Sequence, residues 1–64
     1  MTTIQQLESE IAEAEQLVQL YTKLGETYMA IGKRDQAYAK RNEAVAQQSR
    51  LLTLKAILKS KGQN

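Results

Sequence analysis

An all-α fold, an antiparallel hairpin of two long helices, is what this sequence predicts, and three observations predict it. Apolar residues recur at alternating spacings of three and four in both halves of the chain. A single glycine, Gly32, breaks that pattern near the middle, and proline is absent throughout. Alternating spacings of three and four keep side chains on one stripe of a helix, and a helix buries such a stripe against a neighbour.

The first helix is expected over about residues 3–31. Thr2 or Thr3 can open it, since a threonine hydroxyl accepts from a backbone N–H of the first turn and a Gln follows three residues later in each case. Its seam is Ile4, Leu7, Ile11, Ala14, Val18, Tyr21, Gly25 and Tyr28. Leu17, Leu24 and Ile31 form a second row one position before it, and Leu20 widens the arc. At about 100° per residue the apolar arc covers about half of the helix. One partner helix needs less, so two neighbours are expected.

A turn is expected over about residues 32–34. Gly32 accepts the left-handed backbone that ends helices, and Asp35 then falls in the first turn of the next helix, where a carboxylate suits the dipole. The second helix is expected over about residues 35–61. Its rows are Ala37, Ala44, Leu51, Leu58 and Tyr38, Val45, Leu52, with Arg41, Gln48 and Lys55 between them. Long polar side chains can run past a seam to water or to acids opposite; the sharper reading is that they set register or touch a partner. Leu54 and Ile57 fall off this face. Folding at Gly32 places Lys55 near Glu10, Gln48 near Val18 and Arg41 near Gly25.

Composition narrows the remaining choices. At 64 residues the chain is a single domain, 1–64, with a core that is marginal without a staple. Cys and His are absent, so neither a disulfide nor a zinc site is expected, and association is the staple left. No apolar run approaches the roughly 20 residues of a membrane span, and the first residues lack the basic and apolar blocks of a signal peptide. A soluble, cytoplasmic protein with no membrane contact is expected. The net charge is +2, but it is segregated. Glu8, Glu10, Glu13 and Glu15 lie at one end, while Arg50, Lys55, Lys59 and Lys61 lie at the other. A hairpin brings these opposite charges side by side.

Catalytic chemistry is not indicated. Ser9, Ser49 and Ser60 have no His to activate them, no glycine-rich phosphate loop is present, and the four glutamates read as a solvated helix face. No enzyme activity, metal or cofactor is expected. A basic group, Lys33, Arg34, Lys40 and Arg41, could contact phosphate, with Tyr38 available to stack on a base. Asp35 and Glu43 dilute it, and Tyr38 is assigned to the seam.

The stretch YTKLGETYMAIGKRDQAYAKRNEAV, residues 21–45, resembles a single tetratricopeptide repeat, a helix-turn-helix unit with small and large residues at set spacings. Tyr21, Leu24, Gly25 and Tyr28 match the first-helix pattern, Gly32 the turn, and Ala37, Ala44 and Val45 the second helix. Arg41 and Ser49 depart, standing where the family has a large apolar residue and a closing proline. The resemblance implies close helix approach at Gly25 and Ala37. It does not carry over the carboxylate-binding activity, because Thr22 and Glu26 occupy the positions that Lys and Asn would need to fill.

The function expected from these readings is a small non-enzymatic protein–protein interaction module of adaptor or co-chaperone type. It would self-associate as a homodimer, forming a four-helix bundle, or dock on a larger helical protein, through Leu17, Leu20, Leu24, Leu54 and Ile57. The alternative is a small RNA- or DNA-binding regulator using Lys33, Arg34, Lys40 and Arg41.

Overall fold

The computed structural model describes residues 3–62, and these form two helices packed against each other, α1 (Ile4–Ala30) and α2 (Arg34–Gly62). Thr3 is the N-cap of α1. Its hydroxyl accepts from the Gln6 N–H at 3.1 Å, and the Gln6 side-chain oxygen accepts from the Thr3 N–H at 2.9 Å, a complete capping box. Thr2, the other candidate cap, lies outside the described residues, as do Gln63 and Asn64.

The turn closes through backbone bonds. Gly32 has φ of 81°, its N–H donates to the Met29 carbonyl at 3.1 Å, and the Lys33 N–H donates to the Tyr28 carbonyl at 2.8 Å. These two bonds make a Schellman motif, which satisfies carbonyls that the end of α1 would otherwise leave unpaired. The Lys33 carbonyl accepts from the Ala37 N–H at 3.0 Å and so starts α2, with Asp35 in the first turn.

The pair forms a rod of 50 × 16 × 14 Å, one layer of helices thick. Its buried line is Leu7, Ile11, Ala14 and Gly25 from α1 with Ala37, Ala44 and Leu51 from α2. Leu54 and Leu58 pack against the cluster of Ile11, Ala14 and Leu51. Val18, Tyr21 and Tyr28 are half-buried along the expected α1 seam, whereas Ile4 is 46% exposed at its open end. The expected second neighbour of α1 does not come from within the hairpin. Among the described residues no polar or charged side chain is buried.

The facing row of α2 differs from the sequence expectation. Buried and half-buried positions run Ala37, Lys40, Ala44, Gln47, Leu51, Leu54 and Leu58, while Tyr38, Val45 and Leu52 are 51, 64 and 60% exposed. A seam between the Ala37 row and the Tyr38 row would have placed Arg41 and Lys55 on its centre line, and burying unpaired cations is costly. Turning α2 the other way moves both to an edge and brings Leu54 inward. Leu54 therefore belongs to the core margin, not to a face outside it. The polar residues nearest the seam are Lys40 and Gln47 instead of Arg41, Gln48 and Lys55.

The acidic start does lie beside the basic end. Glu10 pairs with Arg50 at 4.0 Å and Glu15 with Lys55 at 3.9 Å. Lys55 thus reaches Glu15 where Glu10 was expected. All four side chains remain about half exposed, so each pair contributes about 0–1 kcal/mol. Such pairs favour the antiparallel arrangement without holding it.

Candidate interaction faces

A layer of two helices has two broad sides and two narrow backs, and the heptad offset assigns each residue to one of them. The expected interface residues all fall on one broad side. Leu17, Leu24 and Leu54 are half-buried, Leu20 is 50% exposed and Ile57 40% exposed. They do not form one patch. Leu17, Leu20 and Leu24 lie along α1 toward the turn, whereas Leu54 and Ile57 lie near the free ends of the hairpin. Arg50 comes between the two groups.

The four basic residues also separate. Lys33 and Arg34 are exposed at the turn. Lys40 leans into the hairpin, with Nζ 3.3 Å from a Glu43 carboxylate oxygen and 5.6 Å from the centre of the Tyr21 ring. Arg41 leaves by the opposite edge, its stem over Gly25. A Cβ built on Gly25 would stand 3.2 Å from the Arg41 Cγ and 3.4 Å from the Ala37 carbonyl oxygen. The missing side chain leaves a shallow groove bordered by Thr22, Glu26, Met29 and Arg41.

Sequence reasoning missed the back of α2. Tyr38, Val45 and Leu52 form its large row, next to Ala39, Ala46 and Thr53, with Asn42, Ser49 and Ala56 along the middle. All nine are exposed, and none is charged. The Thr53 hydroxyl donates to the Ser49 carbonyl at 3.1 Å. The outward side of α1 is of the opposite kind, carrying exposed Glu13, Lys23 and Glu26. The signal was available before folding. Once Ala37, Ala44, Leu51 and Leu58 are taken as the inward row, positions half a turn away should be charged, and on α2 they are not.

Among the described residues no group of three or more His, Cys, Asp or Glu could hold a metal ion. No helix there is long and apolar enough to cross a membrane. The chain matches no protein-family model, no curated protein and no solved structure.

Proposed function

We propose that this hairpin is a non-enzymatic protein–protein interaction module of adaptor or co-chaperone type, acting in the cytoplasm, that works by covering its exposed apolar side chains with helices of a second copy or of a larger helical protein. One observation carries the reading. Among the described residues, Leu7, Ile11 and Leu51 are the large apolar side chains that are buried, while Ile4, Leu20, Met29, Ile31, Tyr38, Val45, Leu52 and Ile57 are 38–64% exposed. Burying one large apolar side chain completely is worth about 1.5–3 kcal/mol. A substantial part of that free energy is therefore still unrealised in the hairpin by itself. A pair of hairpins forming a four-helix bundle is a simple way to use it.

The test is the molar mass of the purified protein by sedimentation, beside a Leu20→Glu/Ile57→Glu double variant. A wild-type dimer that the double variant disrupts supports the broad side as the interface. A wild-type monomer directs the reading toward a separate helical partner.

A second reading has its own support. Tyr38, which a seam position would have hidden, is exposed between Arg34 and Arg41, each about one helical turn away. Stacking on a base with phosphate contacts on both sides suits single-stranded RNA or DNA. Against it, Lys40 is engaged with Glu43 and Tyr21, so the patch has fewer cations than the sequence suggests. A salt-dependent mobility shift of labelled RNA or DNA, lost in an Arg34→Ala/Arg41→Ala variant, would establish this alternative.

A further inference from the structure

Self-association of the kind proposed above does not say which surfaces meet, and the back of α2 supplies an answer. We propose that a second copy of this chain covers that face, the two α2 helices packing antiparallel about a twofold axis close to Ala46. The proposal rests on the interaction reading and names its partner and its surface.

Exposure motivates the choice of face. Tyr38, Val45 and Leu52 are 51, 64 and 60% exposed in one row, compared with 50% for Leu20 and 40% for Ile57. Residues a heptad apart stack along one side of a helix, so the three make a continuous ridge. Ala39, Ala46 and Thr53 beside it are small enough for a second helix to approach closely. From Tyr38 to Ala56 no charge on this face has to be stripped of water. The Thr53 hydroxyl already has its acceptor in the Ser49 carbonyl, so it enters a dry contact without an orphaned donor.

Charge and order select the partner. In an antiparallel pair related by a twofold axis, each row along one helix runs beside the same row of the other helix in reverse order. With the axis between Val45 and Ala46, Val45 lies beside its own counterpart, Tyr38 beside Leu52 and Asn42 beside Ser49, the two polar side chains of the middle row finding each other. Along one edge Glu43 faces Arg50, and the symmetry makes that opposite-charge contact twice. Both side chains remain 40–48% exposed while they hold their own partners within the hairpin, Lys40 and Glu10. A parallel pair would set the Tyr38–Leu52 ridge against the Ala39–Thr53 row and carry Glu43 away from Arg50, losing both matches. An unrelated helix would have to reproduce the same order in reverse; a second copy has it already. The α1 helices then lie on the outside, and neither hairpin core is disturbed.

Because the chain contains no Cys, single cysteines report register cleanly. A disulfide needs Cα atoms within about 7 Å. Ala46→Cys should therefore cross-link to itself on mild oxidation. Ala39→Cys and Thr53→Cys should each fail alone and cross-link when mixed. Val45→Glu, which sets two carboxylates against each other near the axis, should weaken dimerisation at least about 100-fold, with circular dichroism showing the helices intact. Glu43→Arg and Arg50→Glu should each weaken the dimer, and the double swap should restore it. Equal cross-linking of Ala39→Cys alone would overturn the antiparallel register. A dimer unaffected by Val45→Glu but lost in Leu20→Glu/Ile57→Glu would overturn this surface and leave the interaction reading standing. A wild-type protein that stays monomeric at every concentration overturns the proposal and the homodimer together. If that monomer shifts single-stranded RNA, nucleic acid is the occupant of the Tyr38 face.

Discussion

The two halves of this hairpin are held by different means. Toward the free ends, Leu7, Ile11, Leu51, Leu54 and Leu58 fill the space between the helices with large side chains. Toward the turn, the buried positions are Gly25, Ala37 and Ala44, and backbone comes near backbone instead. Half-buried Tyr21 and Tyr28 flank that narrow half, with the Lys40 ammonium over the Tyr21 ring. Large side chains contribute area removed from water, and small ones contribute proximity. The first half should thus lose stability when side chains are removed, and the second when they are added.

The largest effect is expected from Leu51→Ala. Leu51 is 5% exposed and touches the cluster with Ile11 and Ala14. Truncating a buried leucine costs about 2–5 kcal/mol, enough to unfold much of so small a protein. Urea denaturation followed by circular dichroism, at one fixed protein concentration, would measure it. A loss below that of an exposed leucine such as Leu52 would mean that the open end is not the core.

Gly25→Leu probes the other half and should cost about 1–3 kcal/mol by overpacking. Gly25→Ala sharpens the comparison. Its Cβ would meet the Arg41 Cγ at 3.2 Å, and Arg41 is exposed and can give way. The Ala37 carbonyl at 3.4 Å is an ordinary contact. Replacing a helical Gly by Ala gains about 1 kcal/mol in propensity, so Gly25→Ala should leave the melting temperature unchanged or raise it while Gly25→Leu lowers it. If both variants raise it, close approach at the turn end is wrong.

Between the halves, Gly32→Ala should cost about 1–2 kcal/mol, because φ of 81° is a left-handed conformation that a side chain disfavours. Nothing lies within 4 Å of the Cβ it would add, so the cost is conformational alone. Asn in place of Ala should recover part of it, since Asn visits this region more readily. Equal thermal melts for wild type and Gly32→Ala would contradict the turn geometry.

The smallest effect is expected at the open-end ion pairs. Arg50→Ala and Lys55→Ala should each shift stability by about 0–1 kcal/mol, and high salt should shrink the difference. Arg50→Ala that is harmless to the hairpin yet weakens dimerisation would separate its pairing with Glu10 from the role inferred at the back of α2.

Several features were legible in the residues alone. The two helices, the break at Gly32, the α1 seam from Leu7 to Tyr28 and the approach of the acidic start to the basic end all follow from local rules. Periodicity, glycine conformation and charge segregation each act over a few residues or between the ends of one hairpin. The rotation of α2 about its own axis was not legible. Ala37, Ala44, Leu51 and Leu58 are flanked by an apolar row on one side, Tyr38, Val45 and Leu52, and by a mixed row on the other, Lys40, Gln47 and Leu54. Taken by hydrophobicity alone, the first looks like the better seam.

Packing against α1 reversed that choice, and the reason is what each option puts at the centre. The apolar row brings Arg41, Gln48 and Lys55 with it onto the middle line. The mixed row leaves these at an edge, lets Lys40 reach Glu43 and the Tyr21 ring, and seats Leu54 beside Ile11, Ala14 and Leu51. Sequence periodicity determines that α2 has an apolar side, because that depends on spacing within one helix. Only the tertiary structure decides which side turns inward, because that depends on the desolvation of groups that α1 either covers or leaves in water.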